Sequence, residues 1–373
     1  MYRILKISVP YRSAVEALYN KDQSLSEKPY AEQVKAIRNS SILMLDFVGH
    51  MQNLGTEAEE IYFQIEPLKQ AWARENSLHP DTDEYEILKR QVQNFKPDIL
   101  YVDDSYILGD RVEDLLKSVP GLKISLGRCG SAMTDRAKSQ IRYYSHVIGV
   151  SLHFVNILQE MGLKSFEVKQ GFEDTLLPLL RPETFPESCD VLFCGSFYAM
   201  EGGHHLRMSI FWDLVDLPCD FVIRTGTLKP RPIPLEGPSY KDKFIQRVGH
   251  LVKPEVSGLR MLEAYMNAKL GLNSHLDANG PLANNMRLYE VTGVGTCLVT
   301  DKKVNLPELF EEDREVVTYS SADEAKEKIR WLLDNPFERK KIAEAGQKRT
   351  LSEHTTRHRF LGFHQKLLEL LHQ

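Results

Sequence analysis

The chain has 373 residues, more than a single hydrophobic core usually serves, so about two domains are expected. It is 42% hydrophobic and 27% charged, with a formal net charge of -5. That is an ordinary globular balance, without the basic excess that nucleic-acid binding through broad electrostatics requires. Five scattered cysteines, Cys129, Cys189, Cys194, Cys219 and Cys297, are odd in number and fall mostly in apolar segments. They read as reduced thiols of a cytoplasmic protein, and no CxxC or Cys/His cluster points to zinc.

The N-terminus, Met1 to Val9, begins at once with a strand pattern and lacks the long apolar core of a signal peptide. No apolar run approaches transmembrane length, so neither secretion nor membrane spanning is expected, while peripheral association with a membrane surface stays open. Strand-like runs then follow at Glu60–Ile65, Asp98–Val102, Lys123–Leu126, His146–Val150 and Glu167–Gln170, after a first strand at Arg3–Val9. Helical periodicity appears around Ala31–Met51 and Glu84–Asn94, and Lys96-Pro97-Asp98 is a sharp helix stop because proline resists continuing a helix.

A second series opens at Cys189–Phe197 and continues with strands at Asp220–Arg224, Lys269–Asn273, Thr296–Thr300 and Val316–Tyr319. Its helices are expected near His205–Leu214, Leu259–Asn267, Arg287–Thr292 and Ala322–Asp334. This alternation predicts an α/β protein built from two tandem Rossmann-like, doubly wound domains, residues 1–178 and 188–355. The linker is placed in Leu176–Ser188, where Pro178, Pro182 and Pro186 interrupt regular structure. Residues 356–373 form a final amphipathic helix free to pack back on the first domain. Leu228–Pro238, with Pro230, Pro232, Pro234 and Pro238, reads as a rigid surface excursion rather than a PxxP ligand. His354, His358, His364 and His372 lack an accompanying acid or cysteine pattern and are expected to be solvent-exposed rather than metal-bound.

The most informative stretch is Asn285–Asp301, a polar loop, a short helix and a glycine turn leading into a buried strand. Arg287 and Glu290 lie three apart and share a helix face, while the backbone N–H groups of the first turn point toward any anion. Such a corner suits a nucleotide diphosphate, with Arg287 at phosphate and Glu290 accepting from ribose hydroxyls. The same two residues also suit a structural ion pair.

From Arg287–Asp301, through Leu306-Pro307-Glu308-Leu309-Phe310, Asn335–Gly346 and Glu353–Phe360, the chain resembles the carboxyl half of B-fold glycosyltransferases, and most nearly the CgeB-like, spore-maturation-type branch. Val191–Ser196 and Lys269–His275 add to the likeness, which covers about residues 189–360. The resemblance implies two Rossmann-like domains facing a cleft, with a nucleotide-sugar donor on the second and an acceptor hydroxyl of a glycan, a lipid-linked saccharide, a surface polymer or a protein on the first. It implies no metal and no cofactor beyond the donor substrate. Glu290 would bind the donor ribose, Arg287 would lie at the diphosphate, and the loop Asn273–Asn285 would wrap the sugar through Asn273, His275, Asn279, Asn284 and Asn285. Many retaining relatives carry a second glutamate near the sugar; here Leu282 stands at that position, which leaves open whether the product inverts or retains configuration. A nucleotide-sugar epimerase and a non-catalytic sugar-binding module are the competing readings.

Glycosyl transfer needs stabilisation of the departing diphosphate, and inversion needs a base near the acceptor hydroxyl. Arg224, in a small-residue turn after a strand, and Arg207, which also suits an ordinary exposed or ion-paired residue, are candidates for the anion. Asp103 and Asp104, at the carboxyl end of Ile99–Val102, and His153, after His146–Val150, are the base candidates. Each has a plainer role, a turn or N-cap acid for the aspartates and a buried hydrogen-bonded ring for the histidine. Arg128 in Gly127–Ser131 and Glu173 in Lys169–Glu173 are further anion or sugar contacts, Glu173 serving equally as a turn acid.

Overall fold

The structure, a computed structural model, describes residues 1–40, 44–199, 203–229 and 237–373. It divides into two compact units, Met1–Val168 with Arg359–Gln373, and Lys169–His358.

In the first unit six strands, β1 (Arg3–Ser8), β2 (Glu57–Tyr62), β3 (Ile99–Val102), β4 (Ile124–Cys129), β5 (His146–Gly149) and β6 (Ser165–Glu167), form a parallel sheet in the order β2-β1-β3-β4-β5-β6. The central strands are buried along their length, as a sheet covered on both faces requires. The chain leaves β1 toward β2 and then crosses back to β3, so the order reverses between β1 and β3. Helix Glu84–Phe95 ends at Lys96 in the left-handed conformation, φ 53°, and Pro97 then prevents continuation. The region expected as one helix over Ala31–Met51 is two helices, Tyr30–Asn39 and Phe47–Asn53; the second starts where the Asp46 carboxylate accepts from Gly49 N at 3.1 Å. Strand β2 begins three residues before the expected Glu60, because its register against β1 runs from Arg3↔Glu57 to Ser8↔Tyr62.

The last helix is Thr356–Leu371; its residues from Arg359 onward belong to the first unit, where Phe363 and Leu367 enter the core beside Tyr2, Phe47 and Tyr101. Of the four histidines expected at the surface, His358 and His372 are exposed. His354 is not: it is buried among Tyr289 and Phe310, with Nε2 2.7 Å from Leu309 O. His364 is half-buried, stacked on Tyr2 with Nδ1 2.9 Å from its hydroxyl.

The second unit carries β7 (Cys189–Cys194), β8 (Phe221–Arg224), β9 (Val252–Lys253), β10 (Ala268–Asn273), β11 (Cys297–Asp301) and β12 (Val317–Tyr319), again all parallel, in the order β12-β11-β10-β7-β8-β9. Here the order reverses between β7 and β10. One face packs an aromatic cluster in which the rings of Phe193 and Phe211 lie edge-on at 4.6 Å. The segment expected as a linker, Leu176–Ser188, belongs to this unit, and the boundary falls earlier, at Val168–Lys169. It is tied down by Arg181 N to Glu263 Oε1 at 2.9 Å and by Asn267 Nδ2 to Pro182 O at 2.7 Å. Of the proline-rich excursion Leu228–Pro238, residues 230–236 lie outside the described residues.

Helix Met286–Gly293 approaches the Phe172 ring so closely that a Cβ on Gly293 would lie 2.5 Å from Cγ. Gly293→Ala should therefore destabilise the protein by about 1–3 kcal/mol, read as a lower urea midpoint. Gly362→Ala, whose Cβ would meet nothing within 4 Å in an exposed helix, should leave the midpoint unchanged or raise it.

Candidate functional site

Ligands of open α/β sheets gather outside the carboxyl ends of the strands where the strand order reverses, because the flanking loops diverge there and leave a crevice. In the second unit that place lies between β7 and β10. Arg207 occupies it. Its helix, His205–Leu214, starts where Asp277 Oδ2 accepts from His205 N at 2.7 Å. The guanidinium donates to Ser196 O, beyond β7, at 2.6 Å and to Ser274 O, beyond β10. Arg207 is only 6% exposed, and burial lowers its pKa to about 10. The ordinary exposed or surface-paired arginine allowed by the sequence is thus replaced by a buried cation bonded to carbonyls.

At the end of β10, Asn273 and Asn285 exchange side-chain amide bonds at 2.8 and 3.3 Å, and Asn273 also donates to Thr300 Oγ1 at 2.9 Å. Asn285 is the N-cap of helix Met286–Gly293, its Oδ1 3.4 Å from Leu288 N. The His275 side chain is wholly buried, with Nδ1 2.6 Å from Asp301 Oδ1, and its backbone N–H donates to the same oxygen at 2.9 Å. Burial by itself would raise the Asp301 carboxyl; the His275 contacts and Lys303, 3.5 Å away, outweigh it and hold the group below the ordinary carboxylate range.

On the next helix Arg287 Nη1 meets Glu290 Oε2 at 2.5 Å, with the guanidinium over the Tyr265 ring at 5.4 Å. The ion pair left open by the sequence is therefore formed; among the described residues no partner meets Glu290 Oε1. Asn284 Oδ1 accepts from Gln170 N and from the Tyr289 hydroxyl, both at 3.2 Å, and Asn279 is buried in the turn Asp277–Asn279.

Two expected contacts are engaged elsewhere. Arg224 is buried under Phe185, with its guanidinium on Glu187 at 2.8 Å and on Pro254 O at 3.0 Å, so its charge is already compensated. Glu173 is 3% exposed and accepts from Thr175 Oγ1 at 2.7 Å and Thr356 Oγ1 at 2.9 Å, which makes it a buried anchor of its own turn.

In the first unit Asp103 lies beyond β3, at the β1/β3 reversal, but within an ion network that the sequence reading did not assemble. Lys6, 3% exposed, reaches Glu60 at 3.1 Å and Asp103 at 3.5 Å, and Arg128 lies 3.4 Å from Asp103. Ser8 Oγ donates to Glu60 at 2.5 Å and the Tyr101 hydroxyl to Asp103 at 2.7 Å. The signal was present in Arg3-Ile4-Leu5-Lys6-Ile7-Ser8, where a lysine sits among the inward positions of a buried strand. Asp104 is exposed, and its Oδ1 accepts from Tyr106 N at 3.2 Å, the turn-acid role. His153 is half-buried in the first turn of helix Leu152–Glu160, edge-on to Phe154.

Burial alone would raise the Asp103 carboxyl, yet Lys6 and Arg128 bring it from 3.8 down to about 2. A carboxylate held that acidic is a weak proton acceptor at neutral pH. Because the folded value lies below the unfolded one, its stabilisation is complete above about pH 4 and is lost as pH falls toward 2. Wild-type protein should accordingly lose about 2 kcal/mol more stability between pH 4 and pH 2 than Asp103→Asn, measured by urea unfolding across that window.

Residues 222–365 match the family described as glycosyl transferase-like. No curated protein matches the chain. Among solved structures, it is similar to a sucrose-phosphate synthase of Thermosynechococcus elongatus, at 13% identity and TM-score 0.58, covering 100% of this chain and 99% of that one. A glycosyltransferase of Rickettsia africae matches at 12% identity and TM-score 0.56, over 99% and 98%. The HepE protein of Anabaena, solved in complex with UDP-glucose, matches at 12% identity and TM-score 0.54, over 100% and 99%. The chain has the α/β fold of the B-type glycosyltransferases over its whole length, and its second half carries the sequence signature of a glycosyl transferase-like family.

Proposed function

We propose that the protein is a cytoplasmic glycosyltransferase of the CgeB-like branch that moves a hexose-type sugar from a nucleotide-sugar donor to a hydroxyl of a glycan, lipid-linked saccharide, surface polymer or protein. The observation that supports this most is the convergence, at the carboxyl ends of β7, β10 and β11, of Arg207, Asn273, His275, Asn285 and the Arg287–Glu290 pair. The pair supplies a cation for the diphosphate, from the first turn of a helix whose amides favour anions, and one turn on a carboxylate to accept from the ribose. Amide and imidazole groups of the Asn273–Asn285 loop are neutral hydrogen-bonding groups suited to sugar hydroxyls. An acceptor would be held by the first unit, where the Lys6–Glu60–Asp103–Arg128 network marks the strand-order reversal.

Departure of the diphosphate needs positive charge rather than a metal in particular, and arginine supplies it here. Activity should survive a chelator.

UDP, GDP, dTDP, CMP and ADP, tested one at a time for their effect on thermal unfolding, should single out one nucleotide that raises the transition, by about 2.7 kcal/mol at a hundredfold excess over Kd. Glu290→Gln should weaken that nucleotide about tenfold or more while unfolding normally without ligand. Unchanged affinity in the variant would remove the ribose role, and no shift with any nucleotide would remove the donor reading.

A further inference from the structure

A cleft of about 560 Å³ lies in the first unit, along the edge strand β2 and the helices Tyr30–Asn39, Phe47–Asn53 and Glu84–Phe95. That volume falls inside the roughly 300–1,000 Å³ of small-molecule sites. Of the Lys6–Glu60–Asp103–Arg128 network only Glu60 lines it, so it is a different place from the strand-order reversal.

Most charges around the cleft are already met. Arg3 pairs with Glu57 at 2.7 Å, Arg38 with Asp46 at 2.9 Å and Glu60 with Lys6 at 3.1 Å. Glu59 differs: it is exposed in the cleft, and among the described residues no hydrogen bond or ion pair meets its carboxylate. Burial and the neighbouring Glu57 push that carboxyl upward, with Arg3 pulling the other way. One uncompensated carboxylate disfavours a phosphate, sulfate or carboxylate ligand here.

The other polar groups are neutral. Gln91 Nε2 donates to the Tyr30 hydroxyl at 3.0 Å, which leaves the hydroxyl a hydrogen to give and Gln91 an oxygen to accept with. Asn94, exposed at the rim, offers both. Leu5, Val34, Ile61, Trp72 and Phe95 supply apolar wall between these groups. An ammonium would satisfy Glu59, but it can only donate and would leave the Tyr30 hydroxyl unmet. A pyranose fits the whole set, because its C–H faces pack on apolar side chains while its hydroxyls both give and accept hydrogen bonds.

We propose that this cleft is a second saccharide site, which holds a neutral sugar unit of a glycan acceptor or product through Glu59, Tyr30, Gln91 and Asn94. The inference goes beyond the donor site and rests on the glycosyl-transfer reading for the choice of a saccharide among neutral hydroxylated ligands.

The chain has three tryptophans, and Trp72 lines the cleft while Trp212 and Trp331 lie in the second unit. Indole N–H signals of the full chain, labelled with nitrogen-15 at tryptophan and assigned with Trp72→Phe, therefore report on this place separately. Neutral trisaccharides of glucose, galactose, mannose and N-acetylglucosamine are titrated one at a time. At least one should move the Trp72 signal saturably and leave the other two in place, with or without a nucleotide diphosphate present. Glu59→Ala and Asn94→Ala, at unchanged urea midpoints, should each raise its Kd about tenfold. The proposal is overturned if no trisaccharide moves the Trp72 signal, if both variants bind as wild type does, or if the glucosamine trimer or glucose 6-phosphate binds there more tightly than every neutral sugar. Nucleotide binding with a still Trp72 signal would remove this cleft alone; a saccharide-dependent Trp72 shift in a protein that binds no nucleotide would uphold the cleft and remove the donor reading.

Discussion

The arrangement of the second unit turns on one buried guanidinium. Arg207 ties the loop that leaves β7 to the loop that leaves β10, through Ser196 O and Ser274 O, at the point where the two halves of the sheet part. Taking a cation out of water is costly, and carbonyl dipoles offset that cost only while both loops stay where they are. Removing the guanidinium would leave the buried Ser274 carbonyl and the half-buried Ser196 carbonyl without this donor, so the clamp and the loop geometry depend on each other. Everything proposed to meet the donor hangs from these loops: Asn273 and His275 at one end, the Asn285-capped helix with Arg287 and Glu290 just beyond.

The first unit solves a similar problem with opposite means. At its own strand reversal it buries Lys6 between two carboxylates, Glu60 and Asp103, and adds Arg128 on the outer side. Near-balanced charge makes this cluster self-sufficient, with every member paired, whereas the corner around Arg207, His275 and Asp277 keeps polar atoms without partners. The contrast separates a cluster whose charged groups are all met from one in which polar atoms are not. It also explains why Asp103, attractive as a strand-end acid, is a poor proton acceptor: the two cations that make its burial tolerable also make it acidic.

Much of the fold was legible in the sequence because it rests on local patterning. Buried parallel strands read as short apolar runs, and helices His205–Leu214 and Ala322–Asp334 fall where periodicity put them. The misses have physical reasons. The break after Asn39 depends on Asp46 capping a new helix, a side-chain choice that periodicity does not see. The start of β2 is decided by its register against β1, a non-local match. Arg224 looked available after its strand, but Glu187, far back in the chain, had already claimed it.

The amino-acid sequence by itself determined that this is a two-sheet α/β protein and that Arg287 and Glu290 share one helix face. These follow from spacing, which the backbone converts directly into direction. Tertiary structure alone decided which groups are engaged: Arg224 compensated, Glu173 anchored, Arg207 buried on carbonyls, and His275 held to Asp301 through one ring nitrogen while the other has no partner. Pairing of that kind joins residues tens of positions apart through burial, and no local pattern encodes it.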